Sequence, residues 1–600
     1  MSRELKEVSI LIKSKSTQLA RSKLRDAYNR GLIACEEMNK ASRLLKKTES
    51  KSPQLNVLLL GQFTTTWLKS IIPLIALGDG FSINVDDGEF DNVYQDILKI
   101  FASNSKFPDV IVLLPWADKV LKSRNFEDVI SQEIKYWRMC RNEILKYKSC
   151  KIIQSGYDWM STGAMGFHSP ESGHIKKIQE INIQLQRSLE TGVYFLPLME
   201  ISGWIGKRNF YSQRQYHWAK QPFSEQGLEF LSKNIWASIR ALNTGSKKVL
   251  VTDLDNTLWG GVVGEEGPLG INLGEDVEGE SFIAYQRYLK QLSLRGIIIA
   301  VASKNNREDA LEPFIKNPQM VLQLEDISCF VASWEPKTAM LQQISSQLRL
   351  GADSFVFVDD NPAEREQIRQ KMPEVTVVEI PLDPAEYVRN IEEGLWFESL
   401  PLTKEDKKRS ELYKISGQAN DSKHSFDCLN DYLISLQMSA SIELIDDLNI
   451  QRIIQLLGRT NQFNLTTRRH SKEKVKDILE NPHNIGMAMN FFDRFGEYGL
   501  ISVIIGIEHP DEKNAIILDS WLMSCRVIGR TAESFFFNEF IKLAENLNYK
   551  KVFAKHIPTA KNQMLNDLLP NCGFREGRNE DYLELNIIEK TPNKTFVKNT

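Results

Sequence analysis

Cysteine is scarce in this 600-residue chain: the seven, at positions 35, 140, 150, 329, 428, 525 and 572, show no paired metal-ligand spacing. They are too sparse for a disulfide framework and read as reduced, mostly buried thiols. Long apolar runs are missing too. No stretch reaches the roughly 18 residues that would cross a bilayer, and MSRELKEVSILIKSKSTQ lacks the apolar core of a secretory signal. The expectation is a cytoplasmic protein with no membrane partner. Nor is there an excess of charge of one sign, since 75 Lys and Arg against 78 Asp and Glu leave a net charge of -3, which predicts no broad nucleic-acid footprint. Internal repeats are absent. What the composition does supply, 42% hydrophobic and 26% charged residues, suffices at this length for about three or four packed domains.

The chemistry is concentrated in four segments. In KKVLVTDLDNTLWGG an apolar run leads into Asp253 and Asp255, with Asn256, Thr257 and two glycines as turn formers. This predicts a buried parallel strand that stops at Asp253. Ligands bind at such strand ends in open α/β sheets, and two carboxylates one residue apart invite a divalent cation there. A second run, GIIIAVASKN, ends at Ser303, whose hydroxyl and following amides suit phosphate oxygens. In SWEPKTAML, Lys337 follows Pro336 at a helix start, which sets an ammonium against phosphate and carboxylate charge. A third run, SFVFVDDNPAER, ends with Asp359 and Asp360, completing an oxygen cage for magnesium. The intervening stretches hold only a Gly-rich hairpin, GGVVGEEGPLGINLG, and one helix near FIAYQRYLKQLSLRG. No large cap domain is expected, and an open site suits a substrate presented by a large partner.

This ordered set resembles the haloacid dehalogenase (HAD) superfamily of phosphotransferases. The resemblance implies that Asp253 is the nucleophile that becomes aspartyl-phosphate and that Asp255 is the general acid and base. It also implies that Ser303 and Lys337 hold the phosphoryl group. Asp359 or Asp360 would bind Mg2+ with Asp253 and the main-chain carbonyl of Asp255.

The chain as a whole reads as an α/β protein of three consecutive α/β blocks, the central one a parallel-sheet, Rossmann-like phosphotransferase fold. A Lys-rich helical segment covers 1–50, a first block 51–243, the phosphotransferase block 247–400, a polar helical connector 401–430 and a third block 431–590. In the first block LLLGQFTTTWL lies where SGNH-type hydrolases carry their serine, yet it offers Gln62, Phe63 and Thr64. His217 has Gln213 where an orienting aspartate would help, so the resemblance is to a degenerate hydrolase used for binding or packing. In the third block a strand, NAIILDSWLMS, a turn with Arg526, Gly529 and Arg530, and a helix, TAESFFFNEFIKLAENL, follow one another. That order resembles the coenzyme-binding segment of GNAT acyltransferases, with Thr531 in place of their usual small residue. Helix amino termini bind pyrophosphate, so Arg526, Gly529 and Arg530 are expected to meet a pantetheine arm. Cys525, beside Arg526 and near that helix start, is the candidate for a transient acyl-enzyme.

From about residue 50 to 590 the architecture resembles the FkbH-like proteins of polyketide biosynthesis. The likeness rests on TDLDNTLWGGVVGEEG, VASKNN, WEPK, FVDDNPAER, RTNQFNLTTRR, DRFGEYGL and SCRVIGR. The resemblance implies loading of a glyceryl unit from 1,3-bisphosphoglycerate onto an acyl carrier protein, with loss of phosphate. The alternative is a phosphatase for another small phosphate ester, with the outer blocks as scaffold.

Overall fold

The computed structural model describes all residues except 1, 49–52, 103–106, 124–125, 148–149, 165, 169–172, 244, 399–428, 461–462, 560–561 and 578–581. The connector expected over 401–430 therefore lies almost wholly outside the described residues. Two compact units are present, one from Met1 to Leu242 and one that starts at Asn243 and includes the carboxyl-terminal sheet.

In the first unit five apolar segments, β1 (Leu55–Gly61), β2 (Ile83–Asp87), β3 (Val110–Leu114), β4 (Lys151–Ser155) and β5 (Val193–Leu196), form a parallel sheet of order β2-β1-β3-β4-β5. Runs such as VIVLL, buried along their whole length, are what a sheet covered on both faces requires. The first three helices, Arg3–Lys13, Thr17–Asn29 and Met38–Lys46, are not a separate domain. Their apolar stripes, with Leu5, Val8, Leu24 and Leu45, share one core with Val57, Leu59, Ile71 and Leu74. A short amphipathic helix gains its stability from such a partner surface.

The second unit opens with β6 (Val249–Thr252), β7 (Ile298–Ser303), β8 (Ile327–Ala332), β9 (Phe355–Val358) and β10 (Thr376–Val377), again a parallel sheet, of order β10-β9-β6-β7-β8. The chain runs outward from β6 through β7 to β8, then returns to the other side of β6 for β9. The order therefore reverses between β6 and β9, and a crevice at the carboxyl ends of the strands opens at such a reversal. No cap domain interrupts this block. The Gly-rich stretch after β6 is a loop with one short helix, Val263–Glu266, closed by a bridge between Gly260 and Asn272.

The third sheet is mixed and mostly antiparallel, unlike the first two. Its strands are β11 (Ser439–Leu444), β12 (Phe463–Asn464), β13 (Ile485–Asp493), β14 (Gly496–Glu508), β15 (Ala515–Met523), β16 (Lys551–Ala554), β17 (Arg575–Glu576), β18 (Leu583–Asn586) and β19 (Lys598–Asn599). The main order is β17-β18-β16-β15-β14-β13-β11-β19, with β12 added to β15. β19 lies beyond the expected boundary at 590, so the carboxyl-terminal residues belong to the sheet. This block is part of the same compact unit as the phosphotransferase block. One join is at Arg349, in the left-handed conformation that ends the helix Lys337–Leu348, whose guanidinium donates to the Ile528 carbonyl. Among the described residues no helix is long and apolar enough to cross a membrane.

Candidate active site

The reversal between β6 and β9 fixes the site. Thr252 pairs with Val358 across these neighbouring strands, so the next residue on each strand, Asp253 and Asp359, meet at one sheet end. The strand β6 stops one residue earlier than the apolar run suggests, and the Asp253 amide bonds to the Val358 carbonyl at 3.0 Å. Asn256 then takes φ 53°, a conformation that asparagine tolerates better than most residues. This turns the chain away and lets the Gly261 amide bond to the Asn256 side chain.

Ligand atoms of Asp253, Asp359 and Asp360 lie within 4.8 Å of one another. Lys337, at the first turn of its helix and 1% exposed, sits among them. Its Nζ lies 2.8 Å from Asp253 Oδ1 and 3.1 Å from Asp359 Oδ2, and donates to the Ala302 carbonyl at 2.7 Å. Burial pulls the Lys337 ammonium down, but the Asp253 and Asp359 carboxylates outweigh it and hold the group above its usual range. Burial first, and then the Asp253 charge, push Asp359 up to about 7, with Lys337 acting in the opposite direction. Asp360 is raised for the same first two reasons. Three carboxylates against one ammonium leave the cluster short of positive charge. Asp359 Oδ2 is buried with no partner but the Lys337 ammonium at 3.1 Å, so it keeps acceptor capacity toward the cluster. Oxygen donors with an excess of negative charge suit a hard divalent cation.

Asp255 is placed differently. Its Oδ1 accepts from Trp259 Nε1 at 2.9 Å and from the Val263 amide at 3.1 Å, and its Oδ2 accepts from Asn305 Nδ2 at 2.9 Å. Its carboxylate is not part of the three-Asp group, which leaves its main-chain carbonyl as the atom it could offer a cation. Ser303, at the end of β7, is buried, and its Oγ accepts from Asn305 Nδ2 at 3.3 Å. The structure thus brings Asp253, Asp255, Ser303, Lys337, Asp359 and Asp360 to one group of strand ends.

Three further residues of this site are not evident from residue type alone. Asn305 ties Asp255 to Ser303. Thr257, fully buried, receives the Asp360 amide at 3.1 Å and donates to Asp360 Oδ1 at 3.3 Å. Arg365 donates to the carbonyls of Asp359 and Asp360, both at 2.7 Å. Each lies inside a quoted motif, VASKNN, DLDNT or NPAER, but only the folded loop shows what it holds.

The other expected sites come out otherwise. In the first unit the crevice between β1 and β3 is closed. The Trp116 amide donates to Gln62 Oε1 at 2.8 Å, and Phe63 packs edge-on against Trp116 and Phe223, with ring centres 5.7 and 5.2 Å apart. Thr64 donates to the Ala219 carbonyl at 2.5 Å, and His217 is exposed on a short helix. In the third block Arg530 is 1% exposed and paired internally through one nitrogen: its Nη1 lies 2.5 Å from Asp493 Oδ2 and donates to the Tyr498 hydroxyl at 2.8 Å, while Nε and Nη2 are buried without a partner. Arg526 is buried and bonds to Ser524. Gly529 takes φ 75° and Thr531 φ 60°, and the Thr531 hydroxyl receives the Phe596 amide at 3.0 Å, so the carboxyl-terminal chain lies against this helix start. The Cys525 backbone is in the short turn Cys525–Val527; its side chain lies outside the described residues. Removing one member of a buried ion pair strands the other. Arg530→Ala is therefore expected to destabilise the protein by about 3 kcal/mol, measured by urea unfolding, and an unchanged midpoint would contradict this placement.

No protein-family model matches the chain, and no curated protein matches it. Solved structures do. An acetyltransferase of the GNAT family from Staphylococcus aureus Mu50 aligns at 12% identity and a TM-score of 0.21, covering 25% of this chain and 99% of that one. The ribosomal-protein-S18-alanine N-acetyltransferase of Escherichia coli aligns at 8% identity and a TM-score of 0.19, covering 24% and 88%. Likenesses this weak decide nothing about activity. The crystal structure of the N-terminal part of BF1531 from Bacteroides fragilis, containing a phosphatase domain complexed with Mg, aligns at 30% identity and a TM-score of 0.54, over 61% of this chain and 99% of that one. With the Asp253, Lys337 and Asp359 cluster at the reversal of a parallel sheet, and with this likeness over nearly all of that protein's part, the chain belongs to the same HAD-type phosphatase-domain family as BF1531.

Proposed function

We propose that the chain loads a three-carbon glyceryl unit from 1,3-bisphosphoglycerate onto the phosphopantetheine thiol of an acyl carrier protein, and that the central block removes the phosphate monoester. The observation that carries the phosphatase half is the buried Lys337 held between Asp253 and Asp359. The carrier half is supported by the motif set that resembles the FkbH-like proteins. Asp253, Asp359 and Asp360, with the Asp255 carbonyl, would hold magnesium, which when bound supplies positive charge against the transferring phosphoryl oxygens.

The chain's own residues then divide the work. An Asp253 oxygen attacks phosphorus as the ester oxygen departs. Asp255, held by Trp259, Val263 and Asn305, has an Oδ2 lone pair beyond the Asn305 bond on which it carries a proton, and passes that proton to the leaving oxygen. Water then attacks the aspartyl-phosphate while Asp255 takes its proton, and phosphate leaves. Lys337 and the Ser303 hydroxyl offset the charge on the phosphoryl group before and after transfer. Lys337 cannot move far, since its third contact is the Ala302 carbonyl.

A second reading, a phosphatase for another small ester with scaffold blocks around it, is favoured by one observation. Arg526 and Arg530 are both buried and bonded to Ser524 and to Asp493, so neither presents an exposed guanidinium to a pantetheine phosphate. Intact-mass measurement of a carrier protein incubated with the chain, magnesium and 1,3-bisphosphoglycerate separates the two. A mass gain of one glyceryl unit, lost on hydroxylamine treatment, is expected; phosphate release with an unchanged carrier mass favours the simple phosphatase.

A further inference from the structure

The strand β15 carries a second cluster of reactive groups that the phosphatase site does not use. One edge of β15 is paired with β14 from Ile516 to Met523. On the other edge β16 pairs only from Ala515 to Leu518, and β12 takes Leu522 and Met523. Between them lies a short window, Asp519 to Trp521, at which β16 has left the strand. The register with β14 also skips here, Gly506 facing Leu518 and Ile505 facing Ser520. Asp519 is thus the extra residue of a bulge, a device that re-aims a side chain.

The segment that follows β12 is laid along this window. The Leu465 amide bonds to the Trp521 carbonyl at 2.9 Å, the Thr466 hydroxyl to the Asp519 carbonyl at 2.7 Å, and the Ile557 amide to the Leu465 carbonyl at 3.0 Å. The chain then brings three donors onto the buried Asp519 carboxylate: Arg468, the neighbouring Ser520 hydroxyl at 2.8 Å, and His470 Nε2 at 2.6 Å. Burial would raise Asp519, but these partners, His470 foremost, hold it below the usual carboxylate range, so it stays an acceptor. With Nε2–H directed at Asp519, the other ring nitrogen of His470, Nδ1, has no hydrogen-bond partner among the described residues. Arg468, half-exposed, stands beside it. His556, just past β16 and next to the Ile557 that bonds Leu465, has a buried Nε2 without a partner. The backbone bonds and Arg468 already fasten the segment, so a clamp has no need of an imidazole with one nitrogen open.

We propose that His470, oriented by Asp519, is a second acid–base centre whose substrate is a thiol. This rests on the acyl-transfer reading above and places its thioester-forming step in the third block. The acceptor S–H bond breaks and its proton passes to His470 Nδ1. Sulfur forms a bond to the carbonyl carbon of the acyl phosphate, the bond from that carbon to the phosphate oxygen breaks, and phosphate departs with the electron pair. His470 then returns the proton to solvent. The histidine–carboxylate arrangement is the one used to activate hydroxyl and thiol nucleophiles elsewhere.

The test uses the full chain with magnesium, 1,3-bisphosphoglycerate and free pantetheine, reading thioester by mass and phosphate-monoester hydrolysis separately between pH 5.5 and 9. His470→Gln keeps a donor for Asp519 but has no base. It is expected to form thioester about 100-fold more slowly, to lose the limb of the pH profile that a histidine imposes, to recover in part with added imidazole, and to hydrolyse the monoester at the unaltered rate. Asp519→Asn should show the same split. Thioester formation by His470→Gln at the unaltered rate and pH profile overturns the proposal. So does a parallel loss of both activities with a lowered melting temperature, which marks a clamp. If the unaltered chain hydrolyses the monoester but forms no thioester, the acyl-transfer reading fails and this proposal with it. If thioester forms and His470→Gln is silent, only this proposal fails.

Discussion

Asp253→Asn releases phosphate about 10⁴-fold more slowly than the unaltered chain, or not at all, and it does so without unfolding. The amide is a poor nucleophile and a weaker ligand for a hard cation. The fold is spared because the side chain keeps its shape and can still accept from the Leu254 amide, as Asp253 Oδ1 does at 2.8 Å. One negative charge is also removed from a cluster that holds three carboxylates and one ammonium. Steady-state phosphate release and a thermal melt, measured on the same preparation, check both halves. Phosphate release near the unaltered rate from a folded variant would remove Asp253 from the role of nucleophile.

Lys337→Met has the largest expected effect on stability. Its ammonium is the positive charge closest to Asp253 and Asp359, both at ion-pair distance. Methionine fills the space but leaves the carboxylates of Asp253 and the fully buried Asp359 facing each other with no ammonium between them. Breaking a buried ion pair in this way costs about 3–5 kcal/mol, a fall in Tm on the order of 10 °C for a unit of this size. Millimolar magnesium should restore part of that loss by mass action, because a dication on the three carboxylates opposes the same repulsion. Phosphate release should stay at least about 100-fold down even with the metal, since the transferring oxygens have lost a fixed charge. A variant that melts at the unaltered temperature without metal would show that Lys337 does not balance these carboxylates.

Much of the central block could be read from its residues. Three apolar runs ending in Asp253, Ser303 and Asp359, and a Pro336–Lys337 helix start, are local signals, each set by a few neighbouring side chains, and the strands and the helix Lys337–Leu348 begin or end within a residue of them. Local patterning is strong here because strands buried on both faces need unbroken apolar runs, and turns need Asn and Gly. What the runs cannot state is which strand lies beside which. The order β10-β9-β6-β7-β8, with its reversal between β6 and β9, is what turns two distant aspartates into neighbours.

The third block shows the opposite balance. Arg526 and Arg530 look like surface cations beside a helix start, and residue type alone gives no sign that Asp493, in sequence 37 residues from Arg530, will take one of them inside. Nor does RTNQFNLTTRRH announce that His470 will meet Asp519 across 49 residues. Antiparallel pairing, a bulge and a diverging strand edge decide both contacts, and they depend on register over the whole sheet. The first unit is similar: Gln62, Phe63 and Thr64 could be read as the loss of a nucleophile, but the aromatic packing that closes the crevice needs Trp116 and Phe223 brought in from other segments. The sequence by itself determined the elements and the phosphoryl chemistry, because these depend on short-range patterns. Tertiary structure decided which charges are spent on each other and which remain for substrate, because burial and pairing are properties of the assembled sheets.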